Sequence, residues 1–106
     1  MKLQFARRAV PFTLDPLADT VIDANGRIIL LTRSEFRILH LLMTHAHQTL
    51  TYQDMLRILW GHHDEDAGMR NRIVVYIFRL RGKIEPDTRH PRHIITVRGQ
   101  GYRFRH

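Results

Sequence analysis

Apolar residues recur along this chain at two spacings, and the spacings divide it into elements. Phe36, Leu39 and Met43 lie three to four residues apart, and Ile38, Leu41 and Leu42 widen the stripe. Tyr52, Met55, Leu56, Leu59 and Trp60 follow i, i+3, i+4, i+7, i+8; Ile73, Ile77, Leu80 and Ile84 follow i, i+4, i+7, i+11. Side chains at these separations share one face of an α-helix, so three helices are predicted, each burying a stripe. Thr32-Arg33-Ser34-Glu35 has the form of a capping box, in which the threonine oxygen and the glutamate each satisfy a backbone N–H at a helix start. Thr51 and Asp54 repeat the signal before the second helix, and Gly61 stops it. The first helix is expected to be the most buried. His45-Ala46-His47 closes it or starts the loop beyond. Trp60 is read as a core residue rather than a platform for a ligand. The third helix, Arg70 to Ile84, ends ahead of Glu85-Pro86, because the residue before a proline resists the α region.

Elsewhere the pattern is that of short strands. Phe12 to Leu14, Thr20 to Ile22 and Arg27 to Leu31 are β-forming runs separated by the turn signals Asp15-Pro16 and Ala24-Asn25-Gly26. They predict a small antiparallel sheet, with residues 3 to 5 as a further edge strand. Residues 1 to 8 are basic and without period, and are read as a linker remnant ahead of one domain spanning 9 to 106. Gly61 to Gly68, GHHDEDAG, is polar and too short for an element, so it is a loop. Its Asp64, Glu65 and Asp66 put negative charge ahead of the third helix, where the helix dipole favours it. His93 to Arg105 reads as a hairpin, with Ile94 to Val97 going out, Gly99-Gln100-Gly101 turning and Tyr102 to Phe104 returning.

Charge changes this picture more than composition does. With 106 residues and 43% hydrophobic content the chain has room for one modest core. No apolar run is long enough to span a membrane. The chain has no cysteine, which excludes disulfides, thiolate metal sites and cysteine nucleophiles, and fits a reducing cytoplasm. The net charge is +7, but residues 1 to 69 hold seven Lys/Arg against eight Asp/Glu, whereas residues 70 to 106 hold ten against only Glu85 and Asp87. The positive excess therefore belongs entirely to the third helix and the hairpin. A field confined to one end points to a polyanion, nucleic acid before an acidic membrane.

On the third helix, Arg70, Arg72, Arg79, Arg81 and Lys83 surround the narrow apolar stripe, with Val75 and Phe78 on the side away from it. Taken alone this is either a solvated basic face or a surface shaped for a major groove. The surroundings favour the second. Strands, three helices with a loop before the third, and a basic terminal hairpin make an α+β fold: a winged helix-turn-helix with an N-terminal antiparallel sheet and a C-terminal β-hairpin wing. In that arrangement the third helix enters the major groove and the hairpin reaches the backbone or the minor groove.

The chain at this point resembles the DNA-binding effector domain of OmpR/PhoB-type response regulators, over about Leu14 to Phe104. The resemblance is carried by LTRSEFRILHLLMTH at 31–45, LTYQDMLRILWG at 50–61, IFRLRGKIEPD at 77–87 and PRHIITVRGQGYRF at 91–104. It implies a four-stranded N-terminal sheet, three helices and a hairpin, and sequence-specific binding of double-stranded DNA for transcription regulation. It implies base reading by Val75, Arg79 and Arg81, with Asn71 and Arg72 near the helix start. Arginine can bond guanine bidentately, and Val75 can touch a thymine methyl. By the same resemblance Arg98 enters the minor groove, Thr96 and Tyr102 meet phosphates, and the loop with His62, His63, Asp64, Glu65 and Asp66 touches RNA polymerase. The partners implied are tandem DNA half-sites, bound as a dimer by a domain monomeric when isolated, and a phosphorylatable receiver domain in a longer two-component protein. The receiver's acidic pocket is not found here, so the chain is read as a separated effector half. The chain departs from the family's habit at three places: Asn71-Arg72 replaces an Arg-Thr or Arg-Ser pair, Val74 stands where an acidic residue is common, and Phe78 where a polar or basic one is. Phe78 is either a groove contact or a residue packed on the wing.

Other classes are weaker. An enzyme would have to use the eight histidines, and His45-x-His47 and His62-His63-x-x-Asp66 lie in predicted loops with no third ligand in reach. No paired carboxylates, phosphate loop or serine triad appears, so no cofactor, metal or catalytic residue is expected. A stand-alone protein-interaction module or an RNA-binding winged helix is the alternative, since phosphate contacts do not tell the two polymers apart.

Overall fold

A computed structural model describes residues 11–61 and 67–106. Its elements run β1 (Phe12–Asp15), β2 (Thr20–Asp23), β3 (Ile28–Leu30), α1 (Arg33–Thr44), β4 (Thr49–Thr51), α2 (Tyr52–Trp60), α3 (Ala67–Ile84), β5 (Ile94–Val97) and β6 (Gly101–Phe104). No helix among the described residues is long and apolar enough to cross a membrane.

The first three strands form an antiparallel sheet in the order β1-β2-β3, with Val21 opposite both Leu14 and Ile29. Strand alternation turns Phe12, Val21 and Ile29 into the core. The Asn-Gly turn forms where the sequence places it. Oδ1 of Asp23 accepts from the amides of Asn25 and Arg27 at 2.9 Å, and Gly26 adopts φ +84°. The fourth strand implied by the family resemblance would fall on residues 3 to 5, outside the described residues. So do the linker residues 1 to 8 and the loop residues His62, His63, Asp64, Glu65 and Asp66.

Both capping boxes are present. Thr32 Oγ1 accepts from the Glu35 amide at 3.2 Å while Glu35 Oε1 accepts from the Thr32 amide at 2.9 Å. Thr51 and Asp54 exchange the same pair of bonds at 3.0 and 3.2 Å. Gly61, at φ +72°, ends α2 with its amide on the Arg57 carbonyl.

Two features differ from the sequence reading. First, α3 starts at Ala67, not Arg70, so Ala67 and Gly68 belong to its first turn rather than to the loop. The reason is Met69, which packs against the core one turn ahead of Ile73 and so extends the buried stripe. Second, the C-terminal hairpin is not isolated. Thr49–Thr51 forms a strand on its far side, giving a second antiparallel sheet in the order β4-β6-β5, with Leu50 opposite Tyr102. At Gly101 the two backbones come so close that a Cβ would lie 2.0 Å from the Leu50 carbonyl oxygen. Only glycine permits that approach.

The core fills the space between the two sheets and the helices. Ile38, Leu39 and Leu42 of α1, Met55 and Leu56 of α2, Ile73, Ile77 and Leu80 of α3, and Ile94 and Phe104 of the second sheet are all essentially solvent-free. Tyr52 and Trp60 pack at its edge, Trp60 stacked on Tyr76 at 5.9 Å.

Candidate nucleic-acid interface

With Ile73, Ile77, Leu80 and Ile84 turned inward, the geometry of α3 fixes what it shows outward. At about 100° per residue, Asn71, Val75, Phe78 and Gly82 fall on a line opposite the buried stripe, with Arg72 and Arg79 on one flank and Val74 on the other. All seven are exposed. Gly68, Asn71, Arg72, Val75, Tyr76 and Arg79 line a shallow hollow of about 290 Å³. Val75 is 43% exposed and Phe78 75%. Of the two roles open to Phe78 in the sequence, packing on the wing is not what the structure shows. Arg70 lies against the core side instead, its guanidinium 4.5 Å over the Tyr52 ring.

Arg81, Thr96 and Tyr102 are brought together too, but in a second cluster with different chemistry. The Arg81 side chain reaches the hairpin rather than the outward line. Its Nη2 donates to the Ile94 carbonyl at 2.7 Å and to Thr96 Oγ1 at 2.8 Å, and Nε also donates to Ile94. Its guanidinium sits 5.6 Å from the Tyr102 ring centroid. Tyr102 is only 4% exposed and meets Tyr52 edge-on at 5.6 Å, its hydroxyl accepting from that of Tyr52 at 3.4 Å. Burial, reinforced by the Tyr52 hydroxyl, pushes the Tyr102 phenol well above its ordinary value. Burial likewise pulls Arg81 below the usual guanidinium range. Arg70, Tyr52, Tyr102 and Arg81 thus form a ladder of two rings between two cations that begins and ends on α3. The expectations of base reading for Arg81 and phosphate contact for Tyr102 meet side chains already engaged inside the protein. Tyr52 had no assigned role in the sequence beyond its place in the stripe.

The hairpin is seated by a buried carboxylate. Glu85, the first residue after α3, accepts from the backbone amides of Arg92, His93 and Ile94 at 2.7 to 3.1 Å. His93 packs edge-on against Phe12 at 4.9 Å and bonds the Arg105 carbonyl. Arg98 then stands exposed in the turn between β5 and β6.

A second buried acid sets the position of α3. Glu35, 2% exposed, accepts from Lys83 Nζ at 2.6 Å while keeping its place in the α1 capping box. Of the two acids in the basic third of the chain, Glu85 is buried and Asp87 is engaged by Arg89 and His90. Arg72, Arg79 and Arg98 have no carboxylate partner among the described residues. Among the described residues no three acids, histidines or cysteines are grouped to hold a metal, and His45 bonds the Leu41 carbonyl.

A sheet-backed three-helix unit whose third helix exposes arginines beside a basic hairpin is a winged helix-turn-helix domain. Residues 26–104 match the family model described as "Transcriptional regulatory protein, C terminal". Over 77 residues the chain is 44% identical to the DNA-binding dual master transcriptional regulator RpaA of Synechocystis sp., covering 73% of this chain and 31% of that protein. The chain therefore spans about a third of the curated relative it matches. The crystal structure of the Klebsiella pneumoniae RstA DNA-binding domain in complex with the RstA box superposes with a TM-score of 0.78 at 33% identity, covering 92% of this chain and 94% of that one. The response regulator DrrB of Thermotoga maritima, an OmpR/PhoB homologue, gives 0.68 at 29%, covering 96% of this chain and 48% of that one. The chain belongs to the family of C-terminal DNA-binding domains of OmpR/PhoB-type response regulators. It is a transcription-regulating DNA-binding domain and not an enzyme.

Proposed function

We propose that α3 lies in the major groove of duplex DNA with Asn71, Arg72, Val75, Phe78 and Arg79 toward the bases, while Arg98 at the hairpin turn enters the adjacent minor groove. The observation that carries this reading is the outward face of α3, where these side chains converge opposite the buried stripe and its two arginines face no carboxylate among the described residues. Arg79 and Arg72 bring donors for guanine, and Val75 brings an apolar surface. Arg81, Thr96 and Tyr102 act differently from the base and phosphate contacts inferred by resemblance: they hold the wing at a fixed angle to the reading helix. The RstA domain was crystallised with its DNA box, which supports a DNA partner for a chain of the same fold and 33% identity.

The wider context of the domain belongs to the same proposal. The chain acts as the effector half of a cytoplasmic response regulator, controlled by a receiver domain. Two copies occupy tandem half-sites about one helical turn apart. The loop containing His62, His63, Asp64, Glu65 and Asp66 offers acidic groups to RNA polymerase.

The test is a mobility-shift titration of a duplex selected from a random pool, repeated at several salt concentrations. Neutralised phosphates release counterions, so affinity should fall steeply and linearly on logarithmic axes. A flat response sinks the reading.

A further inference from the structure

The middle of the outward line of α3 is apolar. Phe78 is 75% exposed, and no ring or cation contacts it among the described residues. Val75 lies one turn before it. One turn after it is Gly82, inside a helix, where a glycine is disfavoured relative to alanine. Nothing among the described residues asks for that glycine: a Cβ built there meets no atom of them within 4 Å, and its φ is not positive. A glycine with no internal reason, on the line that faces the ligand, is explained by the close approach of something outside the chain.

The edge chemistry of DNA narrows what Phe78 can meet. In the major groove guanine, adenine and cytosine present nitrogen, oxygen and amino groups, and thymine alone adds an apolar group, its 5-methyl. A phenyl ring set against the polar edges would strip their water and return no hydrogen bond. Set against a methyl it buries apolar surface on both sides.

We propose that Phe78 reads a pyrimidine 5-methyl group, so that the half-site carries a thymine opposite it, and that Gly82 leaves α3 bare one turn further on so that the duplex can come against the helix backbone. This rests on the major-groove reading above and adds the chemistry of the recognised base. It also places Phe78 and Gly82 in one device, in which the glycine lets the ring sink to the groove floor.

Selection from a random duplex pool gives the bound sequence. That duplex is then resynthesised with each thymine changed in turn to deoxyuridine, which removes only the methyl. At one position the wild-type protein should lose about fourfold to tenfold in affinity, the worth of one buried methyl. Phe78→Ala should bind the thymine and deoxyuridine duplexes alike at that position. Gly82→Ala should raise the melting temperature, since alanine is the better helix former, yet weaken binding to the same duplex. Methyl loss without effect at every thymine overturns the proposal. So does a loss that persists unchanged in Phe78→Ala at every methyl-sensitive thymine, which would put the ring against a backbone or a second protein. Gly82→Ala binding as tightly as wild type removes the glycine's part. A pool that yields no enriched sequence overturns the base-reading function itself, a different failure from an enriched sequence indifferent to methyls.

Discussion

Nη2 of Arg81 lies 2.8 Å from Oγ1 of Thr96, so a side chain of the third helix and one of the hairpin share a hydrogen bond across the seam between reading helix and wing. The same guanidinium holds the Ile94 carbonyl. Replacing it with alanine should leave that carbonyl unpaired and destabilise the domain by about 1–3 kcal/mol in urea unfolding. Arg81→Lys should recover only part of this, because an ammonium cannot span the carbonyl and the hydroxyl while lying flat on Tyr102. Arg81→Ala unfolding at the wild-type midpoint would remove the brace from the account.

Tyr102→Phe separates anchoring from phosphate contact. The hydroxyl is buried and meets Tyr52, so its removal should lower stability by about 1 kcal/mol and leave the affinity of the folded protein for DNA as it was. A direct phosphate ligand behaves in the opposite way: its loss would weaken binding to every duplex alike while the folded state kept its stability.

Arg79 is exposed on the lip of the hollow, where an arginine can fork onto a guanine. Arg79→Ala should cost about 1–3 kcal/mol on the selected duplex and little on random DNA. Fluorescence anisotropy with both duplexes at one salt concentration measures the difference. Equal losses on the two would make Arg79 a backbone contact.

Acid should loosen α3 from α1. Burial alone would raise the Glu35 carboxyl, but the hydrogen bonds from Lys83 and the Thr32 amide, together with the Lys83 charge, hold it below its ordinary value of 4.5. A carboxylate depressed in the folded state stabilises fully above its unfolded value and loses that contribution as pH falls through the folded one. Stability should therefore decline below about pH 4.5, and Glu35→Gln, weaker at neutral pH, should show a shallower decline across that window. Asp23, Asp54 and Asp87 shift in the same direction but are solvated, and contribute less. Identical acid profiles for wild type and Glu35→Gln, followed by circular dichroism, would assign the acid sensitivity elsewhere.

What the sequence disclosed and what it withheld divide along chain separation. Thr32 with Glu35, Thr51 with Asp54, the Asn25-Gly26 turn and the stripe from Ile73 to Ile84 are local patterns, and each is present. The strand Thr49–Thr51 was not legible, because three residues alternate too briefly to signal anything until β6 pairs with them. Lys83 looked like one more basic residue on a helix, and its carboxylate partner lies 48 positions away. Tyr52 and Tyr102, 50 apart, meet only in the fold. Phe78 was legible as a choice between two roles, and only the packing of the wing on Arg81 instead of on the ring removed one of them. Met69 carries a local cue for the earlier start of α3, since it extends the apolar stripe by one turn.

The pairing of β4 with β6 bears on how the wing meets its target. Since β6 is the central strand of that sheet, the hairpin is a cantilever whose root is set in the core at Leu50 and Phe104, not a free arm hung from the last helix. A load applied at the Arg98 tip is carried along the strand into the scaffold. If Arg98 enters a groove as proposed, a tip rooted in this way has little conformational entropy left to lose on docking. Its reach is correspondingly fixed, which makes the distance between α3 and the Arg98 tip a property of the fold.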